Sequence, residues 1–422
     1  MRDHGSRIDE LAYDRRRLRQ YLVGEARADG VERRTLLKLL AAAGGAAAVG
    51  VGAAAPATAA GPGIVKPLPP ELFTVRGTNA ESKAASWQGT GLHTPVDRFF
   101  VRNHTSTPLL DPGSWRLKVW GSGLRHGRES EFGLDELRRL PAVTTEALVE
   151  CAGNGRSHFT TQQGEAVSGT AWGLGAIGSG RWRGVRLADV LRKAGLSRNA
   201  VDVQPRGLDA EYLTADGANL GRVRRPLPVA KALHDVLLAY ELNGEPLPPD
   251  HGYPVRVLVP SWVGIASVKW VGDIEVSDIP LYSPWNTDFY RLYGAAYPPE
   301  GSAPLSRQTV KSAFELAAGA EFTVGRTHTL TGRSWSGAGG IASVEVSTDG
   351  GSSWRRARIQ DPARRDNWVR WSVRWRPEST GDTQVLARAT DTRGNTQPDR
   401  TVHNTQGYLF NAVVRHPVRV VG

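Results

Sequence analysis

Apolar and β-branched residues gather into short runs over Trp115–Trp120, Val143–Glu150, Val255–Val259 and Ser267–Val276, and these predict β-strands. Between them, Leu134–Leu140 and Leu187–Ala194 carry apolar residues at helical spacing. Pro and Gly punctuate the whole stretch. Residues 61–300, opening on a Gly/Pro linker over Gly61–Pro70, therefore read as an α+β domain with mixed sheets. A second Pro/Gly-rich boundary falls at Pro298–Pro304, and beyond it the pattern is all-β. Ile341–Ser347 alternates, Asp349-Gly350-Gly351 turns, and Trp354–Ile359 returns, which predicts a hairpin. Trp368–Trp375 and Val385–Ala389 add two strands. Residues 301–422 thus predict an immunoglobulin-like β-sandwich.

The first sixty residues follow neither pattern. Residues 33–38 read Arg-Arg-Thr-Leu-Leu-Lys, close to a twin-arginine export signal. A soft Ala/Gly run over 39–55 follows and ends at Ala57-Thr58-Ala59, a small-x-small cleavage site. The Gly content and modest hydrophobicity of the run favour a cleaved signal over a membrane anchor, and an uncleaved signal would leave the protein membrane-associated. Residues 1–32 are long for the charged region of such a signal, and the sequence gives no account of them. The expectation is export through the twin-arginine machinery to a periplasmic or extracytoplasmic site. That route carries folded proteins, often with a cofactor already inserted, so a cofactor is expected.

Composition narrows the chemistry. With one Cys in 422 residues, an intramolecular disulfide, a multi-Cys zinc or iron–sulfur site and a covalent c-type haem are all excluded. The net charge of +11 raises nucleic-acid binding. The Arg residues, however, are scattered through strand-like runs with no basic stripe or nucleic-acid motif, so no nucleic-acid partner is expected. Such a charge also attracts small anions.

Residues 149–159 read Val-Glu-Cys-Ala-Gly-Asn-Gly-Arg-Ser-His-Phe: a strand ends on the only Cys, and a Gly-rich turn follows. Glycines let backbone approach a bulky ligand, and a thiolate is a soft donor suited to a transition metal. A lone Cys is more often an inert core residue, but core packing does not call for Gly-Asn-Gly beside it. Residues 251–260 read His-Gly-Tyr-Pro-Val-Arg-Val-Leu-Val-Pro, and Ser267-Val268-Lys269-Trp270 follows. His, Arg and Lys converging from adjacent strands suit a phosphate; the alternative is solvated strand ends.

Taken together, Cys-Ala-Gly-Asn-x-Arg, His-Gly-Tyr-Pro-Val-Arg-Val and Ser-Val-Lys-Trp resemble the sulfite oxidase family in order and spacing. Phe99-Phe100-Val101-Arg102-Asn103-His104 and Leu238–Gly244 extend the resemblance, which runs from about residue 70 to the end. The segments Trp335-Ser336-Gly337, Val344–Trp354 and Arg388–Pro398 resemble the dimerisation domain of that family. The resemblance implies a molybdenum cofactor held by a pterin dithiolene without a nucleotide, with Cys151 as the one protein ligand to the metal. It implies that Phe100, Arg102, Asn103, His104, Asp209, His251, Arg256, Ser267, Val268 and Lys269 surround the pterin and its phosphate. It further implies a catalytic pocket in which Arg102, Arg156 and Arg388 bind an oxyanion, Trp172 walls it, and Tyr290 hydrogen-bonds at the metal.

Two departures stand out. Gly155 occupies a position where many members have Arg, and Ser283-Pro284-Trp285-Asn286 replaces the animal-type Ser-His-Trp-Gln; both align the chain with the bacterial branch. The expected activity is oxidation of sulfite to sulfate by oxygen-atom transfer in a homodimer. No haem is expected in this chain, so electrons pass to a separate c-type cytochrome. The rivals are a reductase of nitrate or a sulfoxide on the same cofactor, and, in another class, a non-catalytic exported binding protein.

Overall fold

The computed structural model describes residues 14–17, 19–20 and 63–422; the twin-arginine stretch and the Ala/Gly run lie outside the described residues. Among the described residues no helix is long and apolar enough to cross a membrane. Residues 14–17 and 19–20 are helical, and the Arg17 guanidinium lies 3.5 Å from the buried Asp202 carboxylate. The N-terminal tail thus touches the folded body.

Two five-stranded sheets build the first domain. One is antiparallel: Glu245–Pro246, Leu237–Leu242, Ile177–Arg186 and Ala142–Glu150 in that order, with Arg256–Leu258 also pairing Leu237–Leu242. The other runs Ser130–Gly133, Arg116–Trp120, Val271–Ser277, Asp202–Gly207 and Leu227–Pro228. It is mixed, because Val271–Ser277 lies parallel to Arg116–Trp120 and antiparallel to Asp202–Gly207. The helices Leu134–Arg138, Leu187–Lys193 and Val229–His234 supply apolar faces, and Leu137, Leu187, Val190, Leu191 and Ala232 pack into the main core. Each helix ends within two residues of the stretch its spacing predicts, except Val229–His234, which no pattern announced.

Ile177–Arg186 was not anticipated either, because its Gly residues read as punctuation. The structure gives them another cause. A Cβ at Gly178 would lie 2.6 Å from the Phe99 ring, and one at Gly180 2.4 Å from Leu242. The strand is glycine-rich because aromatic and aliphatic neighbours press on its backbone. Ser267–Val276 is corrected to a strand over Val271–Ser277. Ser267, Val268 and Lys269 precede it as irregular backbone after the 3-10 turn Gly264–Ala266, with Trp270 at φ 52°.

The second domain is a two-sheet sandwich. Lys311–Phe314, His328–Trp335, Val369–Trp375 and Arg358–Ile359 form one sheet. Ala320–Thr323, Arg415–Val421, Gly381–Asp391, Ile341–Ser347 and Arg355–Arg356 form the other. The hairpin predicted at Asp349–Gly351 forms only in part. Arg355–Arg356 pairs with Ile341–Ser347, but Arg358–Ile359 crosses to pair with Val369–Trp375. Ala357, buried between the two short strands, sits in the inter-sheet core and marks the crossing. Between Gly381–Asp391 and Arg415–Val421 the chain first stays on the sandwich, where the Gln397 N–H donates to the Ala389 carbonyl, and over residues 400–413 it packs against the first domain.

Candidate active site

The loop after Ala142–Glu150 places Cys151, a free and buried thiol whose backbone N–H donates to the Ala176 carbonyl at 2.9 Å. Beside it opens a cleft enclosing about 700 Å³ of empty space, part of it open to solvent. Phe100, Arg102, Asn103, His104, Cys151, Asp209, His251, Arg256, Ser267, Val268, Lys269 and Tyr290 all line it. They come from six places in the chain: the segment after the turn Val96–Arg98, the Cys loop, the end of Asp202–Gly207, the turn Pro249–His251 with the strand after it, the loop before Val271–Ser277, and the segment after Pro284–Thr287.

Five of these side chains are basic, and burial bears on all of them. Lys269 donates to the Asp250 carbonyl at 2.8 Å and to the Asn103 side chain. Burial, aided by Arg256, holds its ammonium well below the ordinary lysine range. His104 and His251 are likewise pushed well below the usual histidine range, first by burial and then by neighbouring cations. Burial brings Arg256 down to about 9; its guanidinium donates to the carbonyls of His251 at 3.1 Å and Ser267 at 2.9 Å. For Arg102, burial opposes the charge, but Tyr290, Cys151, Tyr408 and Tyr212 more than offset it. Asp209 is pushed up by burial to about 6.

Three buried polar atoms on this cleft have no hydrogen-bond partner among the described residues: Arg102 Nη1, Asp209 Oδ1 and His251 Nε2. Left so, each costs about 1–3 kcal/mol, and more for a charged group. Converging basic side chains, which an anion would hold protonated, beside the unpaired Asp209 Oδ1 fit a group with an anionic end and an N–H-bearing end. A pterin phosphate has both, and the thiol of Cys151 fits the third requirement, a soft metal donor. Among the described residues no cluster of three His, Cys, Asp or Glu side chains could hold a bare metal ion. The residues present therefore fit molybdenum held by a pterin with one protein ligand.

The expected oxyanion residues are placed differently. Tyr290 lines the cleft at φ 57°, a left-handed conformation rare for a bulky residue, and its carbonyl accepts from the Leu305 N–H at 2.8 Å. Trp172 is buried in the apolar cluster that contains Cys151, Phe99 and Phe100. Arg156 does not line the cleft: its Nε donates to the Gln406 carbonyl at 2.8 Å and its Nη1 to the Thr170 carbonyl at 2.9 Å. Arg388 is not at the cleft. It lies on Gly381–Asp391 of the sandwich, opposite Glu345, whose carboxylate it binds at 3.0 Å, and over the Trp354 ring at 4.3 Å. The cross-strand carboxylate satisfies the charge of Arg388, and of the three arginines expected in the pocket only Arg102 lines the cleft.

Other participants were not among the residues expected from the sequence. Asp250 accepts from the backbone N–H groups of Val65 and Lys66 and from Thr107 Oγ1, so the segment entering the first domain is tied to the turn that bears His251. Its place directly before His-Gly-Tyr-Pro was the available clue. Residues 404–410 close the far side of the Cys loop. The Leu409 N–H donates to the Ala152 carbonyl at 2.8 Å, and Phe410 packs where a side chain at Gly155 would lie, 3.1 Å from its Cβ. Gly155 sits at φ +93°, so the departure from Arg at this position follows from both conformation and space.

Two family descriptions match successive parts of the chain. Residues 104–285 match the oxidoreductase molybdopterin binding domain, and residues 310–421 the Mo-co oxidoreductase dimerisation domain. Sulfite oxidase of Gallus gallus is 37% identical over 337 residues, covering 76% of this chain and 71% of that protein. The chain belongs to the sulfite oxidase family. The mitochondrial sulfite oxidase of Homo sapiens is also 37% identical, over 335 residues, and the chain spans about 60% of its length. Among solved structures, the sulfane dehydrogenase SoxCD from Paracoccus pantotrophus superposes with a TM-score of 0.66 at 26% identity, covering 83% of this chain and 85% of that one. The match over residues 104–285 makes this part of the chain a molybdopterin binding domain of the oxidoreductase type.

Proposed function

We propose that this protein oxidises sulfite to sulfate. The reaction balances as sulfite plus water giving sulfate, two protons and two electrons. The observation that carries the reading is the single free thiol, Cys151, on a cleft whose opposite walls hold five basic side chains and three unpartnered buried polar atoms. When bound there, molybdenum with its pterin supplies oxygen-atom transfer and takes up the two electrons. Cys151 would be its protein ligand. His251, Arg256 and Lys269 would hold the phosphate, and Asp209 would accept from the heterocycle.

The residues of the chain then bind and orient the substrate. Arg102 presents a permanently charged N–H at Nη1 for a sulfite oxygen. The phenol of Tyr290, pushed up by burial, remains a neutral O–H donor. Phe100, Val149, Val268 and Ile265 keep the walls apolar, which strengthens these polar contacts. The two electrons pass to an external c-type cytochrome, and residues 301–422 pair two chains as a homodimer. Export by the twin-arginine route, read from residues 33–59, would place the enzyme where such cytochromes work.

The test is stoichiometry. Protein loaded with cofactor should convert one sulfite to one sulfate while reducing two equivalents of ferricyanide or cytochrome c. Consumption of nitrate or methionine sulfoxide with a reduced dye, and none of sulfite, would overturn the reading in favour of a reductase.

A further inference from the structure

The correction at Arg156 and Arg388 leaves the oxyanion side with fewer charges than the sequence suggested, and the structure supplies something in their place. The guanidinium carbon of Arg156 lies 5.1 Å from the centre of the Tyr408 ring. Tyr408 in turn stacks nearly flat on Tyr290, with centroids 5.2 Å apart and planes 13° from parallel. Tyr408 comes from the excursion of the second domain, 118 positions beyond its partner in the stack, and it is firmly held. Asn404 grips both its backbone groups, accepting from the Tyr408 N–H at 2.8 Å and donating to its carbonyl at 2.9 Å. The next residue, Leu409, is tied to Ala152 in the Cys loop.

Both rings are buried, 4% and 7% exposed for Tyr290 and Tyr408. No hydrogen bond from either hydroxyl is found among the described residues, and neither is one of the fully buried polar atoms left without a partner, so both keep access to what enters beside them. A phenol hydroxyl that has no protein partner and is not sealed off is free to donate to a bound anion. Tyr408 is not itself among the lining residues, but it stacks directly on Tyr290, which lines the cleft together with Arg102 and Cys151. Burial pushes the Tyr408 phenol up, so it is a neutral donor and adds no repulsion to the anion.

We propose that Tyr408 is a substrate-binding residue: its hydroxyl donates a hydrogen bond to an oxygen of the sulfur oxyanion, beside the donors of Tyr290 and Arg102. The inference rests on the sulfite reading for the identity of the anion. Arg156 then acts as a positioning residue, bound to two carbonyls and to the Tyr408 ring. With one of the three expected arginines on the cleft wall, two phenols beside it select by shape and donor direction more than by charge.

Tyr408→Phe isolates the hydroxyl, because the ring and its stack remain. Sulfite turnover and sulfate binding by calorimetry are measured on cofactor-loaded wild type and variant. The KM for sulfite and the Kd for sulfate should each rise about tenfold, the size of one hydrogen bond to a charged group, with kcat within about twofold. Equal sulfate affinity in the two proteins, including no binding by either, overturns the inference. If wild type does not oxidise sulfite but binds sulfate more tightly than Tyr408→Phe, the functional reading fails and the assignment of Tyr408 stands.

Discussion

Lys311→Met probes how the second domain holds the metal-ligand loop. Lys311 opens the first strand of the sandwich, and its ammonium lies 2.7 Å from Glu150 Oε1, with each side chain 2% exposed. The same ammonium donates to the Asn154 carbonyl at 2.9 Å, and Asn154 Nδ2 donates to Glu150 Oε1 at 3.0 Å. Asn154 Oδ1 also accepts from the Ala176 N–H at 3.0 Å. One cation of the second domain thus fixes residues on both sides of Cys151. Removing it leaves a carboxylate buried without its counter-charge, which costs about 3–5 kcal/mol. Removing both charges, with Glu150→Gln beside Lys311→Met, avoids that penalty and should restore all but about 1–2 kcal/mol. Urea unfolding of wild type, both single variants and the double variant closes the cycle. The rate of maleimide addition to Cys151 in cofactor-free protein reports the loop directly, and it should rise in Lys311→Met. A single variant within about 1 kcal/mol of wild type, or a double variant no more stable than Lys311→Met, would refute the reasoning.

Two further outcomes follow from the same geometry. Burial, then His416 and Lys311, lowers His158 to about 4. Its neutral ring therefore favours the folded state above pH 6.5, and that contribution is lost as pH falls from 6.5 toward 4, at most about 3 kcal/mol in all. Unfolding midpoints of His158→Gln against pH should show a shallower acid limb than wild type, and an unchanged limb would remove His158 as its cause. Arg388→Ala breaks an ion pair with a partly exposed Glu345 and should leave the KM for sulfite within about twofold. A rise of tenfold or more would return Arg388 to the substrate site.

How legible the site was depends on distance along the chain. Cys151, His251, Arg256 and Lys269 stand in contiguous motifs at strand ends, where local backbone already decides which way the chain opens. The cradle could be read because its parts are short-range. Tyr408 could not: it meets Tyr290 and the Cys loop only after the excursion over residues 400–413 crosses between domains, and no periodicity marks such a path. Arg388 was misplaced for the converse reason. Its motif is family-like, but its partner Glu345 lies 43 positions away on a neighbouring strand and satisfies it there. In the fold, helices with a clear apolar face were legible, whereas Ile177–Arg186 was hidden because close packing by Phe99 and Leu242 demands the glycines that ordinarily signal loops.

The central claim is that this cleft holds molybdenum with Cys151 as the one protein ligand. X-ray absorption at the molybdenum edge tests it most directly, on wild type and Cys151→Ser purified from a host that makes the pterin cofactor. The account predicts about one molybdenum per chain with three sulfur neighbours in wild type, two from the pterin dithiolene and one from Cys151. In Cys151→Ser the pterin should remain bound with two sulfur neighbours, and turnover should fall by several orders of magnitude as a hard oxygen replaces a soft thiolate. Absence of molybdenum from the wild type, or the same sulfur count in both proteins, would contradict it.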